Sequence, residues 1–455
     1  MDPLHHVLNA LNPARQTPLV RHAYARELRS AATFSPAVAL LEGGVVGVLS
    51  KTVFDVSNFG FAAIMAAPMF ANLTSLFWTR AARGRRKARF VAGVMALLCV
   101  LVAAVASLPT TGLGSTGLVW AVVVGRCLLS GLITVRSAIW RLNFPRASRA
   151  RLTGNVLLVA SLVFAVLPLA VGPLLDVYPH AFRWIYPAAA TLGLVGVTQM
   201  FRLRVRTEPA LLRAENNPAA DPGTPLRRDG RPHGFVSVLA EDHRFRQYMV
   251  CQFIAGVANM MGNTAFALYI VEQIRHRDDA NGLGMLLTTS LPLLLAMLSL
   301  PLWSRLLDRT HIATYRITHG LTWVFGQSLS FVAAWYGHLW LLFLPQVLLG
   351  LMRGGGMIAW QLGHNDFADK RLAALYMGIH QTLTGVRGAF APFLGVWLLA
   401  GHDAFGVAGW EVPAWGGIHE GVFVITTLLA IAAWLGFWRL SVRLKREGSG
   451  HAADG

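Results

Sequence analysis

Ionisable side chains inside long apolar runs are the residues of this sequence best placed to do chemistry. Glu42 lies in one such run, and Arg126 and Arg353 lie in two others. A charged side chain at the centre of a membrane helix costs about 2.5–3.5 kcal/mol on insertion scales. We therefore expect these side chains to face a cavity or a partner, where Glu42 could exchange a proton. The alternative for Glu42 is a fixed pair with an arginine that holds helices together.

Two further apolar runs carry polar residues at helical spacing. His380, Thr384 and Arg387 follow an i, i+4, i+7 pattern and should share one helix face. Asn259 and Asn263 are four residues apart and should also lie side by side. Such stripes face protein or water in membrane helices, so these residues are candidates for substrate binding. A hydrogen-bonded structural histidine and amides that join helices are the alternatives.

The intramembrane charges do not balance. The apolar runs contain Arg126, Arg136, Arg353 and Arg387 against the single carboxylate of Glu42. At neutral pH the surplus positive charge needs an anion, which predicts an anionic or zwitterionic substrate held by Arg126, Arg353 and Arg387. Arg136 lies nearer the end of its run, and we expect its long side chain to reach the interface instead.

The glycines at 354–356 follow Arg353 directly. They suit either a bending gate with a close ligand or tight packing against a neighbouring helix, because glycine lets backbones approach closely.

The composition indicates a membrane protein whose helices carry these residues. Of 455 residues, 55% are hydrophobic and 14% are charged, whereas soluble domains carry about 25% charged residues. A spanning helix needs about 20 mostly apolar residues. Twelve runs qualify, which predicts an all-α membrane protein with spans near 34–50, 57–78, 90–108, 117–139, 153–175, 184–202, 247–272, 283–304, 317–336, 339–361, 374–400 and 420–439.

The distribution of Lys and Arg predicts the orientation. Of 40 basic residues, 32 fall in the tails and in the loops on one side, which places both termini in the cytoplasm. The net charge of +18 is then an orientation signal facing anionic lipid headgroups rather than a nucleic-acid surface. In the tail 1–33, Val20, Tyr24 and Leu28 recur at helical spacing, which favours a short amphipathic helix on the membrane surface or a frayed basic tail.

The chain divides into two similar halves. A polar linker at 203–246 separates a six-helix bundle at 34–202 from a second at 247–439, which is followed by a cytoplasmic tail at 440–455. Trp78 and Trp303 recur 225 residues apart, and Pro173 and Pro392 recur 219 residues apart. A repeat unit of six spans keeps its orientation, so the two bundles should be related by a pseudo-two-fold axis along the membrane normal, with the binding site between them.

Two short motifs resemble those of the major facilitator superfamily. The run 78–87 keeps the basic signature that follows span 2 in that family, with Arg83 where an aspartate is expected. The second copy, after span 8, keeps Asp308 and Arg309. Gly172 and Pro173 in span 5 match a signature of exporters in the family, without its following glycines.

The resemblance covers all twelve spans and implies alternating access between two halves. It implies gating roles for the five motif residues Arg83, Asp308, Arg309, Gly172 and Pro173. It also implies that spans 1, 4 and 10 line the cavity, which makes Arg126 the expected partner of Glu42 and places Arg353 in that cavity.

The predicted function is secondary active transport of a small anionic or zwitterionic solute, coupled to protons through Glu42. A lipid-like or drug exporter and a sensor or scaffold that does not translocate are the alternatives. The sequence contains no zinc-protease, serine-hydrolase or P-loop motif, so we expect no enzyme activity. We expect no cofactor or metal, a monomer, and a location in the bacterial inner membrane. The cysteines stand in apolar runs, which argues against a disulfide framework.

Overall fold

The computed structural model describes residues 11–216, 234–368, 372–407 and 410–451. The predicted all-α membrane fold is confirmed, and each of the twelve predicted spans coincides with helix. The helices are α1 (Pro18–Ala39), α2 (Gly43–Thr52), α3 (Asn58–Phe70), α4 (Ser75–Ala82), α5 (Lys87–Ala104), α6 (Leu113–Asn143), α7 (Arg146–Val177), α8 (Phe182–Phe201), α9 (Glu208–Asn216), α10 (Phe235–Glu241), α11 (His243–Ile274), α12 (Ala280–Met285), α13 (Leu291–Arg309), α14 (Ile312–Tyr336), α15 (Phe343–Leu362), α16 (Ala373–Ala400) and α17 (Gly421–His451).

Nine helical segments within these described ranges are long and apolar enough to cross a membrane. The predicted spans at 57–78, 184–202 and 317–336 are also helical but are not among these nine segments. A two-stranded antiparallel hairpin precedes α17, with β1 (Phe405–Val407) paired to β2 (Trp410–Val412). The protein is thus an integral, multi-pass membrane protein whose described part is almost entirely helical.

The N-terminal helix is longer than predicted. It begins at Pro18, a residue that suits the first helical position, and continues without a break to Ala39. Val20 and Tyr24 are buried in a cluster with Phe144 of the α6–α7 connection. The separate surface helix predicted for the tail is therefore wrong. Its apolar residues do share one helix face, but that face packs onto protein rather than onto lipid headgroups.

Span 1 is discontinuous. The chain leaves the helical conformation between α1 and α2, where Glu42 has φ −73° and ψ 136°, and resumes it at Gly43. Pro36 lacks a backbone N–H and lies one turn before the break. Broken membrane helices expose backbone groups that can serve a ligand or a neighbouring side chain. This break is the local feature that positions Glu42.

Span 8 changes its winding inside the membrane. α12 is followed by a π-helical segment, Leu286–Ser290, before α13 begins at Leu291. π-helical turns are rare and occur mostly at functional sites. Span 2 is also divided, because a short 3₁₀ segment at Ala71–Thr74 separates α3 from α4. The two divided spans occupy equivalent positions in the internal repeat.

The described residues fall into two compact units. Unit 1 lies within Met1–Val56, Ala71–Pro222 and Arg277–Ser290, and unit 2 comprises the remainder. The bundles predicted at 34–202 and 247–439 follow chain order, whereas each compact unit contains one segment from the other half. α3 packs in unit 2, where Phe59 contacts the ring of Phe393, and α12 packs in unit 1. Local sequence patterns carry no signal for this exchange.

Candidate functional site

Glu42 and Arg126 form the predicted pair in unit 1. Arg126 Nη2 of α6 lies 2.9 Å from Glu42 Oε2. The same Nη2 also donates to the carbonyl oxygen of Leu41, at 2.7 Å. The Arg126 side chain is 9% exposed and the Glu42 side chain is 31% exposed. The guanidinium is therefore held inside the unit, while the carboxylate remains accessible.

The break in span 1 explains how one arginine reaches both groups. The carbonyls that the break frees from helical bonding are used by side chains: Leu41 O accepts from Arg126, and Leu40 O accepts from Tyr186 Oη at 3.0 Å. Arg126 Nε is buried and has no hydrogen-bond partner among the described residues. One N–H of this guanidinium is thus free to receive an anion.

The π-helical segment of span 8 lies directly against the start of α2. A Cβ on Gly44 would overlap Thr289 Oγ1, so only glycine allows this approach. Thr288 Oγ1 donates to Gly44 O at 3.3 Å and to Gly284 O at 2.7 Å. The space beside Gly44 is therefore filled by Thr289 and by the backbone carbonyl of Thr288.

A second carboxylate–arginine pair was missed by the sequence reasoning. Glu27 of α1 is fully buried, and its Oε2 accepts from Arg136 Nε at 2.9 Å and from Arg136 Nη2. The Arg136 guanidinium also lies over the ring of Trp140, 5.2 Å from its centroid. The expectation that Arg136 reaches the interface is wrong. A signal was present, because Val20, Tyr24 and Glu27 follow the i, i+4, i+7 pattern.

Arg353 in unit 2 is exposed on α15. At about 100° per residue, Arg353 shares its side of the helix with Met357 and Trp360, while Leu344, Leu351 and Leu362 lie on the opposite side. The leucine side suits lipid, so the side that carries Arg353 is expected to face water or protein.

The glycines beside Arg353 serve helix packing. A Cβ on Gly354 would overlap Ala296 O of α13, and one on Gly355 would lie 2.6 Å from Tyr315 Oη. Tyr315 Oη donates to Gly355 O at 3.0 Å. These contacts support the packing interpretation of the glycines. They also hold the side of α15 that carries Arg353 in a fixed direction.

Asn259 and Asn263 contact one another on α11. Asn263 Nδ2 donates to Asn259 Oδ1 at 2.5 Å, which confirms that the two amides share a face. Asn263 is exposed and Asn259 is partly buried. The outer amide retains one N–H and its carbonyl oxygen, which suits a polar ligand.

The predicted stripe of α16 is present, but it faces the interior of unit 2. His380, Thr384 and Arg387 are buried. Arg387 Nη1 donates to Gln252 O, and its Nη2 donates to Thr384 Oγ1 at 3.2 Å. Arg316 of α14 is also buried. It directly precedes the predicted span at 317–336, so the sequence placed it in a loop. The structure therefore places Arg316, His380 and Arg387 inside unit 2 and leaves Arg353 on an exposed face.

The Gly172–Pro173 motif contacts the first turn of span 8 within unit 1. A Cβ on Gly172 would lie 2.7 Å from Gly282 Cα. Asp176, one turn further along α7, accepts from the backbone N–H groups of Asn281 (2.7 Å) and Gly282 (2.8 Å). A carboxylate at a helix N-terminus is stabilised by the helix dipole and by the unpaired N–H groups there. Asp176 was not identified from the sequence.

The basic run after span 2 is tied to the linker. Glu215 Oε2 of α9 accepts from Lys87 Nζ at 2.6 Å and from Gly84 N at 2.8 Å. Arg83 Nε donates to Glu215 O at 2.9 Å. The carboxylate that the family motif would carry near Arg83 thus comes from α9. Asp308 and Arg309, in the second copy of the motif, are exposed at the end of α13.

An ion pair outside the predicted spans is exposed, in contrast to the Glu27–Arg136 pair. Arg277 donates to both carboxylate oxygens of Asp279, at 2.7 and 3.1 Å. This hydrogen bonding holds the pKa of the Asp279 carboxyl below its usual range. In the turn after α15, burial lowers the pKa of His364.

Comparison with known proteins gives one family and one fold. A profile described as Major Facilitator Superfamily matches residues 30–392. A mutant of the nucleoside transporter NupG has a similar structure, with a TM-score of 0.65 and 11% identity over 91% of this chain and 98% of that chain. A peptide transporter, POT, in complex with sulfate gives 0.63 and 13% over 98% of each chain. The xylose transporter XylE from E. coli gives 0.58 and 12% over 92% and 95%. A search of curated protein sequences finds no match.

Proposed function

Because the chain belongs to the Major Facilitator Superfamily, we propose that it carries a small anionic or zwitterionic solute across the membrane by alternating access. The similar structures are titled as transporters of nucleosides, xylose and peptides, which supports transport without fixing the solute. The charges support an anion, because the exposed Arg353 and the buried Arg126 both lie in spans.

One observation carries the proposal: the accessible Glu42 carboxylate at a broken helix, paired with a buried arginine. An arriving anion competes with Glu42 for the Arg126 guanidinium. Once the anion holds the guanidinium, an ionised Glu42 has lost its partner inside the membrane, and taking up a proton removes the charge. Substrate binding and protonation of Glu42 therefore occur together, and the proton moves with the solute.

We also propose that three residues of unit 2 bind the solute. Arg353 supplies a second positive charge, and Asn259 and Asn263 supply amide donors and acceptors. Guanidinium groups bind carboxylates and phosphates through two parallel hydrogen bonds, so they orient a solute as well as attract it. His380 and Arg387, which were predicted to bind the solute, lie inside unit 2, and we assign them another role below.

The motif residues supply the proposed gates. Asp176 holds the first turn of span 8, and Gly172 and Pro173 provide the close contact. Arg83 is joined to α9 after span 2, and Asp308 and Arg309 lie exposed at the end of α13. We propose that Arg83, Asp308 and Arg309 act on the cytoplasmic side of a bacterial inner membrane, and that the protein acts as a monomer.

The test is transport by purified full-length protein in proteoliposomes. A panel of labelled carboxylates, amino acids and phosphate esters is screened for counterflow and for uptake driven by a pH gradient. We expect exchange of at least one anionic or zwitterionic compound, and we expect Arg126→Gln to abolish it. Arg305→Gln, which changes an exposed arginine at the end of α13, is the matched control and should exchange normally.

The alternatives give different outcomes in the same assay. Exchange of lipophilic cations or lipids alone would indicate a drug or lipid exporter and would contradict the anion proposal. Binding that raises the Tm without any counterflow would indicate a sensor. Normal exchange of an anion by Arg126→Gln would remove the proposed role of the Glu42–Arg126 pair.

A further inference from the structure

A group of polar side chains fills the interior of unit 2. We call it the buried cationic cluster, and it consists of Tyr248 and Gln252 of α11, Arg316 of α14, His364 after α15, and His380 and Arg387 of α16. Tyr248 and His380 are 0% exposed, and the two arginines, Arg316 and Arg387, are 6% and 4% exposed. The cluster is therefore enclosed by protein.

The members are close enough to share one environment. Arg316 and Arg387 interact electrostatically with each other and with His380, and Tyr248 interacts with Arg387. Arg316 and Tyr248 both lie against the ring of Phe437. These contacts join four helices around one polar centre.

Many hydrogen-bonding atoms of the cluster lack a partner among the described residues. Buried polar groups are almost always hydrogen-bonded, so such a concentration needs an explanation. Both ring nitrogens of His380 are unpaired. So are Arg316 Nε and Nη2, Arg387 Nε, Tyr248 Oη, His364 Nδ1 and Gln252 Oε1.

The cluster also lacks a negative charge. Among the residues whose burial is described, Glu27 is the one buried carboxylate, and it belongs to unit 1. The nearby Asp242 accepts from Tyr376 Oη at 2.8 Å and from Phe245 N at 2.8 Å, and it is outside the cluster. A buried charge without a counter-ion costs several kcal/mol. The described part of unit 2 thus offers these two guanidinium groups no buried carboxylate, which favours a counter-ion from solution.

The packing limits the size of that anion. A Cβ on Gly256 would overlap the Arg387 guanidinium, and Tyr248 Oη lies 2.5 Å from the position of a Cβ on Gly363. The side chains of Arg387 and Tyr248 are thus packed against neighbouring backbone, which favours a small ion over a metabolite. Most of the unpaired atoms belong to N–H and O–H groups, which bind an anion and not a metal ion.

We propose that the buried cationic cluster binds a small inorganic anion of the size of chloride, as a permanent part of unit 2. The anion receives hydrogen bonds from the unpaired N–H groups of Arg316 and Arg387 and from the Tyr248 hydroxyl. It offsets one of the two positive charges, lowers the repulsion between the guanidinium groups, and thereby joins α11, α14 and α16. It is separate from the transported solute, because its ligands are buried whereas Arg353 is exposed.

The experiment measures the thermal stability of the full-length protein in detergent. Samples are exchanged into sodium chloride, sodium bromide or sodium gluconate at one ionic strength, because gluconate is too large for the cluster. We expect the Tm to rise saturably with chloride or bromide relative to gluconate, as mass action requires for a ligand of the native state. Arg316→Gln and Arg387→Gln should lose this dependence, and Arg305→Gln should keep it.

Crystals grown in bromide provide a second measurement that does not depend on folded variants. We expect an anomalous peak between Arg316 and Arg387. A peak confined to the surface, which would mark an adventitious ion only, overturns the proposal. So does a Tm that is equal in chloride and gluconate, or an equal loss of dependence in Arg305→Gln. None of these readouts requires transport, so the anion proposal and the transport proposal can fail separately.

Discussion

The two units treat their intramembrane arginines differently. In unit 1, Arg126 and Arg136 are each paired with a glutamate of span 1, namely Glu42 and Glu27. In unit 2, Arg316 and Arg387 are buried with no buried carboxylate among the residues whose burial is described. Unit 1 therefore neutralises its arginines with its own side chains, whereas in unit 2 the proposed bound anion takes the place of a carboxylate.

The two pairs of unit 1 differ in turn. The Glu27 carboxylate is fully buried, whereas the Glu42 side chain is 31% exposed and lies at a helix break. A pair whose carboxylate is fully buried on a continuous helix is expected to be structural. An accessible pair on broken backbone can change partners. The type of residue is the same in both, and the local backbone decides which pair can take part in transport.

The largest expected effect comes from breaking the buried pair. Glu27→Gln leaves the Arg136 guanidinium buried without a counter-ion, which typically costs about 3–5 kcal/mol. We expect a large fall in Tm or loss of folded protein. The double variant Glu27→Gln, Arg136→Gln should recover much of that loss, because no charge is left unpaired.

The double-mutant cycle is measured by thermal unfolding in detergent, with Arg305→Gln as the matched exposed control. If Glu27→Gln is as stable as the wild type, the buried pair is not a structural element, and the contrast between the two pairs disappears.

A substitution in the accessible Glu42–Arg126 pair should change transport rather than stability. Glu42→Gln removes the carboxyl that takes up the proton but keeps Arg126 bonded to Leu41 O. We expect counterflow to continue while accumulation driven by a pH gradient falls at least about tenfold, which corresponds to a coupling of about 1.4 kcal/mol or more. The measurement is paired uptake and counterflow in proteoliposomes. Unchanged accumulation would show that coupling lies elsewhere.

Arg353 tests the exposed positive charge of unit 2. A hydrogen bond to a charged group contributes about 1.5–3 kcal/mol, so Arg353→Gln should weaken solute binding by about 10–150-fold. Arg353→Lys keeps the charge but loses the paired hydrogen bonds of the guanidinium. Its half-saturating concentration should lie between that of the wild type and that of Arg353→Gln. Binding is measured as the half-saturating concentration in counterflow. Equal values for all three proteins would remove Arg353 from the substrate site.

The smallest effect is expected at the exposed pair. The pKa of Asp279 is lowered by Arg277, so its contribution to stability is present above the carboxyl's unfolded pKa and is lost as pH falls through the folded value. Water screens this pair, and exposed pairs contribute little. Asp279→Asn should therefore change the Tm slightly at neutral pH and not at acidic pH. A large change at neutral pH would contradict the view that burial makes the pairs of unit 1 strong.

The sequence predicted the Glu42–Arg126 pair because charges inside apolar runs are costly and few. Glu27 was missed because the basic residues of segment 1–33 predicted a cytoplasmic tail. The burial of Glu27 follows instead from a continuous α1 that packs against α7 and α8. Arg316 was missed because it directly precedes the predicted span at 317–336, where a basic residue indicates a loop. The helix break at Glu42 and the π-helical turn of span 8 depend on contacts such as that between Gly44 and Thr289, which join residues far apart in the chain and leave no local pattern.

The two bonds of Arg126 Nη2 have a kinetic consequence. This nitrogen reaches both Leu41 O and Glu42 Oε2, so the guanidinium stays anchored to the main chain when it gives up the carboxylate. The Arg126 side chain does not have to move to a new position when the solute binds. Only a proton and the short Glu42 side chain have to move, and such small rearrangements are much faster than the large motions that limit turnover in carriers.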